Sequence, residues 1–528
     1  MNFRFWAYFL LLTNKWILLY FFRSSEDRFQ RNLDGPDKMP CRQRPAGGFL
    51  AVVRKKRKAG RALTELIRPV LFPVERSFFV SKQKIQLSDH FTYPRLLRFV
   101  LPAVGTMLFT SIYGIVDGLC VSNFVGKTAF AAVNLIMPLP QLLATIGFML
   151  GTGGSAIVGI TLGEGDQKKA DRYFTMFLLA AAISVSVLAV LGLVLLRPIA
   201  ILLGAKGELL DYAVRYGRIL MLSLPTFALQ NMFQSFFVTA EKPHLGFYFT
   251  VAAGCTNMVL DVLMVGVWGW GVEGAAIATF LSQIVGGLLP IFYFLDHKNT
   301  SRLHLCKTQL YSKVLLDACI NGSSELMTNL SMSLVNILYN YQLLRFAGEN
   351  GVAAYGVIMY ACFLFIAVYV GYAFGSAPIV SFHYGAGNRA EVHNLYEKSL
   401  RLIAVVAVTL TAASMVIIPY VARFFVGYDP ELLALTSRAF RLYALSFVIM
   451  GFNVYASSFF TALGDGVTSA LISFLRTLVF QIAAVLILPA ILGIDGIWLA
   501  VTAAELAALA VSAAMFVTKD KVFHYRKA

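Results

Sequence analysis

Charge is scarce in this chain. Only 14% of its 528 residues are Asp, Glu, Lys or Arg, against 58% hydrophobic, and mean hydropathy is +0.70. A soluble protein of this size could not cover so much apolar surface, which excludes that class. Cysteine is sparse as well: Cys41, Cys120, Cys255, Cys306, Cys319 and Cys362 are the only six, and none stands in a CxxC or Cys/His spacing. A disulfide framework and a metal site are therefore not expected. The seven histidines (90, 244, 297, 304, 383, 393, 524) fall in loops or at the ends of apolar runs. That disfavours a membrane-embedded enzyme, whose chemistry needs a clustered His/Asp site. A nucleotide loop is missing too. Gly126-Lys127-Thr128 looks like the end of one, but position 121 is Val where its first glycine belongs. The expectation is no enzyme, no cofactor and no ATP; any work must draw on a gradient.

What the chain has is apolar runs. They are continuous for about 20 residues or more, the length of a membrane-crossing helix and not the alternation of a barrel strand. From residue 95 we read twelve: 97–122, 130–160, 173–196, 214–239, 244–267, 272–295, 317–344, 352–382, 399–424, 436–461, 467–492 and 494–517. The two halves match at a nearly constant offset. Ile136-Met137 meets Ile358-Met359, Gly163 and Gly165 meet Gly385 and Gly387, and Arg215 and Arg218 meet Arg438 and Arg441. Gly271, Gly274 and Ala278 meet Gly493, Gly496 and Ala500. Six spans per repeat is an even number, so both halves enter the membrane in the same sense. The fold class expected is an all-α polytopic membrane protein with twelve transmembrane helices. They form two six-helix lobes related by a parallel pseudo-twofold, with the binding site between them.

The domain plan follows. Residues 80–295 form the N-lobe, 296–313 a polar linker, 314–518 the C-lobe and 519–528 a tail. Residues 1–79 carry 16 Lys/Arg against 6 Asp/Glu and are poorly periodic. We expect them not to belong to the native core, with the natural start at or near Val80; a real amphipathic anchor is the competing reading. Their basic run, Arg54 to Lys58, has no reading module beside it, so no nucleic-acid partner is expected. Among the connections, those after even-numbered spans, with the tail, hold 15 Lys/Arg. The others hold nine when the Arg pairs opening spans 4 and 10 are counted. The positive-inside rule then puts both termini, the linker and the tail in the cytoplasm. Basic flanks also meet anionic lipid.

A few polar residues sit inside the spans. Asp117 lies in FVLPAVGTMLFTSIYGIVDGLCVSNFV, residues 99–125. Carboxylates at such depth are costly and line a cavity or ion path. Asn257 and Asp261, at i and i+4, share one helix face. Neither has a counterpart in the second repeat, so ion coupling is assigned to the first half, at Asp117, Asp261 and Asn257. Glu325, Asn329, Asn336 and Asn340 form a polar stripe down span 7. Arg476 and Glu505 are lone charges in late spans, and structural pairing is the expected role of Arg476. The small-residue stretches 151–156 and 371–377 read as packing surfaces or hinges.

Together these residues resemble the multidrug and toxic compound extrusion (MATE) family. The likeness runs over about 88–518. It is carried by Pro102 through Asp117 to Gly126, LGEGDQKKA (162–170) with its echo YGAGNRAEV (384–392), NMVLD (257–261), GVEGAAIATFLSQ (271–283) and DGIWLA (495–500). The resemblance implies proton- or sodium-driven antiport, and export of cationic amphipathic compounds from the bacterial cytoplasmic (inner) membrane. Substrate-binding residues would be Asp117, Asp261, Glu325, Asn329, Asn336 and Asn340, with Na+ at Asp117/Asp261 as one option. A monomer is expected. A lipid-linked oligosaccharide flippase of a related superfamily is the alternative; it would show a basic cavity.

Overall fold

The structure is a computed structural model, described over residues 85–525 with Gly126 and His297 excepted. The expectations for residues 1–79 lie outside the described residues. Every regular element among the described residues is a helix. In chain order they are α1 (Tyr93–Phe124), α2 (Lys127–Ile136), α3 (Pro138–Gly163), α4 (Gln167–Leu202), α5 (Glu208–Thr239) and α6 (Pro243–Asp261). A π segment, Val262–Val267, follows. Then come α7 (Gly271–Gly287), α8 (Leu289–Leu295), α9 (Ser312–Asn321), α10 (Ser323–Gly385), α11 (Arg389–Val426), α12 (Pro430–Ala444) and α13 (Phe447–Ala462). Last are α14 (Gly466–Phe474), a second π segment (Leu475–Val479), α15 (Phe480–Leu492) and α16 (Ile494–Phe523).

Nine helices among the described residues are long and apolar enough to cross a membrane. Ten are reached when α12 and α13, bent by 45°, count as one span. Two more follow from geometry. The 63 residues of α10 are two helices merged across Gly348, whose backbone (φ 59°, ψ −149°) lies outside the helical region. The Tyr339 and Tyr355 rings stack at 5.3 Å. On a straight helix residues sixteen apart would be separated by about 24 Å, so α10 folds back on itself. The 32 residues of α5 are long enough to span as well, but Gln230, Asn231 and Gln234 dilute their hydropathy. The twelve expected spans are thus present. Six are broken inside: at Met137 between α2 and α3, at the first π segment, at Leu288 between α7 and α8, at Gly322 between α9 and α10, at the bend between α12 and α13, and at the second π segment.

The repeat is visible in the joints. Gly165 (φ 89°) and Gly387 (φ 69°) turn the chain, and Asp166 and Asn388 then cap α4 and α11 by accepting from the backbone N–H of Lys169 and Glu391. Arg215 pairs with Glu273 at 3.7 Å, and their repeat counterparts Arg438 and Asp495 also pair. Glu273 and Asp495 each sit in the first turn of a helix, where an acid favours the helix dipole.

The lobes meet along α3 and α10. At the crossing, a Cβ on Gly163 would strike the Phe382 carbonyl and one on Gly385 the Ile160 carbonyl, so only glycine permits this approach. The same end is tied by charge. Glu241 adopts a left-handed backbone (φ 60°) that a non-glycine residue rarely holds. Its carboxylate accepts from the Leu87 N–H at 2.9 Å and from Arg302 at 2.8 Å. Arg302 in turn lies 4.8 Å over the Phe382 ring of the other lobe. Glu391 completes the clasp, pairing with His90 at 2.6 Å and accepting from the Phe91 N–H at 2.8 Å. The residues between α8 and α9 are ordered against α4: His304 N–H donates to Asp171, Cys306 N–H to Thr175, and the Thr308 hydroxyl to the Arg172 carbonyl.

Asp465 caps α14 in the turn after α13. Burial alone would raise its pKa. Lys519 at 2.7 Å and the hydroxyl and N–H of Thr468 outweigh that and hold the carboxyl below the usual carboxylate range. Asp465→Ala should cost about 1 kcal/mol, read as a lower melting temperature in detergent. A carboxyl depressed in the folded state contributes stability above its unfolded pKa and loses it as pH falls through the folded value. The melting gap between wild type and Asp465→Ala should therefore close in acid; a gap that stays constant would contradict this account.

Candidate functional site

Asp117 lies on α1, and Asp261 is the last residue of α6, immediately before the first π segment. The helix changes pitch there, as π segments often do at functional sites. Asp261 is 0% exposed, and α1, which carries Asp117, packs against both α6 and the first π segment, which brings the two carboxyls into one neighbourhood. Asp117 Oδ1 and both Asp261 oxygens accept no hydrogen bond from any described residue. Two adjacent carboxyls without a donor call for something between them: a proton shared by the pair or a bound cation. Tyr113 stands one turn before Asp117 on α1, and Tyr216 is a fully buried tyrosine of α5 whose hydroxyl has no hydrogen-bond partner among the described residues. The pair also has a way out. Asp117 is partly exposed, and a Cβ on the neighbouring Gly114 or Gly118 would meet nothing within 4 Å.

Asn257 stands one turn before Asp261, 2% exposed, with its amide 3.5 Å from the Thr279 hydroxyl of α7. Thr279 escaped the sequence reading. It is one hydroxyl in the apolar stretch GVEGAAIATF, and only the packing of α7 on α6 gives it meaning. Two carboxylates, an amide oxygen and a hydroxyl are a hard-oxygen donor set, suited to a proton or a small hard cation such as Na+. Among the described residues no three His, Cys, Asp or Glu cluster as a transition-metal site would require.

The second lobe is arranged differently. Glu325 opens α10. The Asn329 amide donates to the Glu325 backbone carbonyl at 2.9 Å, so it is engaged with its own helix. Asn336 and Asn340 are exposed and share a narrow stripe with Asn329 and Ser333. About a quarter turn away, Leu330, Leu334, Ile337, Tyr341 and Leu344 form an exposed apolar face. One edge of this helix thus suits water and the next suits lipid. Arg476, inside the second π segment, donates from Nε to Glu505 Oε1 at 2.8 Å. Glu505 is 0% exposed; Asn453 donates to its Oε2 at 2.7 Å, and Ser512 donates to Asn453 at 2.9 Å. The expected residues therefore gather in two groups: Asp117, Asp261 and Asn257 in one lobe, and Glu325 with its stripe in the other.

The MatE family profile matches residues 102–263 and, a second time, 326–487. The chain belongs to the MatE family. The two matched segments fall in the two repeats, the first enclosing Asp117, Asn257 and Asp261. A multidrug export protein, MepA of Staphylococcus saprophyticus, is 22% identical to this MatE chain over 432 residues, 81% of this chain and 94% of the relative. Among solved structures, a MATE protein crystallised in complex with MaL6 superposes with a TM-score of 0.79 at 23% identity, covering 84% of this chain and all of that one. An outward-facing multidrug resistance MATE transporter of the MOP superfamily gives 0.78 at 23% identity, with the same coverage. These likenesses establish the two-lobed, twelve-helix MATE fold.

A buried carboxyl without a donor destabilises the protein that holds it. Asp261→Asn should therefore raise the melting temperature of the purified MatE protein in sodium-free buffer at mildly alkaline pH. The gain expected is about 1–3 kcal/mol. An unchanged or lowered melting temperature would mean the pair is already satisfied.

Proposed function

We propose that this MatE protein is a gradient-driven exporter of cationic amphipathic compounds, working by alternating access of a cavity between its lobes. The observation that carries the reading is the Asp117–Asp261 pair: two carboxyls side by side in a membrane-length bundle, with three of their four oxygens unbonded. Such a pair holds a coupling ion, H+ or Na+, with Asn257 and Thr279 beside it. It also attracts an organic cation. Ion and substrate compete for the same oxygens, so each lowers the other's affinity by the same factor, which is exchange. Aromatic rings nearby, Tyr113 and Tyr216, suit a flat cation. Glu325, Asn336 and Asn340 form the facing wall in the second lobe. The multidrug export named for the MepA relative supports the substrate class.

The setting proposed is the bacterial cytoplasmic membrane, with both termini cytoplasmic, on the strength of the Lys/Arg asymmetry. A monomer suffices, because one chain supplies both lobes. The flippase alternative calls for a basic cavity. The cation that could supply it, Arg476, is bound to buried Glu505 instead.

Ethidium efflux from cells expressing the protein tests the reading. Asp117→Asn and Asp261→Asn should each slow efflux at least about tenfold, as for loss of a desolvated charge partner. Unchanged efflux in both variants refutes the assignment. Reconstituted protein given an imposed proton or sodium gradient should accumulate ethidium under one of them; accumulation under neither refutes ion coupling.

A further inference from the structure

Positive charge runs against the expected topology at one level of the structure, and it does so in both lobes. Of the nine Lys/Arg counted on the external side, four are the repeat-equivalent pairs Arg215/Arg218 and Arg438/Arg441. On α5, Arg215, Arg218 and Leu222 stand at i, i+3 and i+7 and are all exposed, so they share one face. Arg438 and Arg441 on α12, with the exposed Leu445 that ends it, repeat that spacing. Both helices pack on equivalent neighbours: α5 on α3, α4 and α7, and α12 on α10, α11 and α16. The two exposed stripes therefore look out of the bundle. From Arg218 to Thr239, the end of α5, the helical rise is about 32 Å, and Arg441 to Ala462, the end of α13, covers the same number of residues. The hydrocarbon core is about 30 Å thick, so the arginines stand at headgroup level with the leucines just inside it. Exposed aromatic residues mark the same level in both lobes. Trp268 and Trp270, their rings 5.1 Å apart, precede the first turn of α7, and Tyr420, Phe424 and Tyr428 stand at the end of α11. Within each pair the outer arginine is held by an acid: Glu273 lies 3.7 Å from Arg215, and Asp495 accepts from Arg438. The inner one, Arg218 or Arg441, makes no ion pair or hydrogen bond with any described residue.

We propose that each arginine pair is a binding site for the phosphate of an anionic phospholipid, one site on the outward wall of each lobe. A guanidinium presents a planar fork of donors that matches a phosphate bidentately. The unpartnered Arg218 and Arg441 supply that fork. Arg215 and Arg438, steadied by Glu273 and Asp495, supply a second positive charge one turn further out. Leu222 and Leu445, one turn deeper, lie beside the first methylenes of the acyl chains. Guanidiniums in water alone would need no apolar stripe beneath them, and an apolar stripe alone would need no arginine; a phospholipid needs both. The two sites differ in charge. Asp211, exposed one turn out from Arg215, has Ala434 as its counterpart, so two acids offset the arginines in the first lobe and one in the second. The second-lobe site thus keeps a net positive charge and is the tighter of the two. With both termini cytoplasmic these sites lie in the outer leaflet. They hold the back of each lobe to that leaflet while the faces toward the cavity move.

Native mass spectrometry of the purified full chain tests it, with the protein titrated in detergent with phosphatidylglycerol or with phosphatidylethanolamine of the same acyl chains. Wild type should take up phosphatidylglycerol in two steps, the first at least about fivefold tighter than any step with phosphatidylethanolamine. R441Q should weaken the first step by about fivefold, the worth of one arginine near a lipid surface, and R218Q should weaken only the second. R345Q, which removes an exposed arginine of α10 outside the pairs, should change neither step. Equal uptake of the two lipids by wild type overturns the proposal, as does wild-type uptake by both R441Q and R218Q. Displacement of the lipid by millimolar inorganic phosphate overturns it too, since the site would then be one for a free anion. Should a variant fail to fold, salt dependence of the wild type decides. Phosphatidylglycerol uptake must weaken as salt rises while phosphatidylethanolamine uptake holds, and a preference indifferent to salt overturns the assignment. None of these readouts measures transport. Lipid uptake as expected with no ethidium efflux refutes the exporter reading alone, and efflux without lipid preference refutes the arginine sites alone.

Discussion

A carboxylate taken out of water must be matched by a positive charge, by hydrogen-bond donors or by a proton of its own. This chain has four acids deep in its helical bundle and resolves them in two ways. Glu505 is matched on every side, by Arg476 and Asn453, and it fastens the second π segment to α16. Asp117 and Asp261 are left with three bare oxygens. A bundle that keeps such a pair unmatched is held ready for a cation from outside. The fourth, Glu325, lies in the first turn of α10.

The scaffold beneath this contrast is repeated closely. The glycine turns at 165 and 387, the caps Asp166 and Asn388, and the pairs Arg215–Glu273 and Arg438–Asp495 recur in both lobes. So does a π segment near the buried charge of each lobe. The repeat supplies the frame, and divergence of a few side chains gives each lobe its own polarity. Glycine contacts then bring the lobes together at one end, where Gly163 and Gly385 allow backbone to touch backbone. Glu241, Arg302 and Glu391 tie that same end with charge. The backbone strain at Glu241 fits this role, since its carboxylate serves two partners at once. In the second repeat the corresponding position is Gly464, which takes the same turn without strain.

Much of the architecture was legible in the chain. Hydropathy marks the spans because the bilayer imposes a length, and the repeat offset showed two lobes entering in the same sense. Asn257 and Asp261 on one face followed from helical spacing alone. The pairing of Arg476 was anticipated as a role, but its partner was not, because Glu505 lies 29 residues away on another helix. Thr279 went unseen for the same reason. Asn329 was placed in the cavity stripe, yet its amide turns back to its own backbone. That is a rotamer choice to which a helical wheel is blind.

Composition and periodicity by themselves settled that this is a twelve-helix membrane protein of two similar halves. Those properties depend on local hydrophobicity and on spacing along one helix. Only the folded structure decided that Asp117 meets Asp261 with no donor between them, that Arg476 pairs with Glu505, and that the lobes close on glycine at one end. Each of these joins residues far apart in sequence. Their energies depend on distance and burial in three dimensions, which no one-dimensional pattern records.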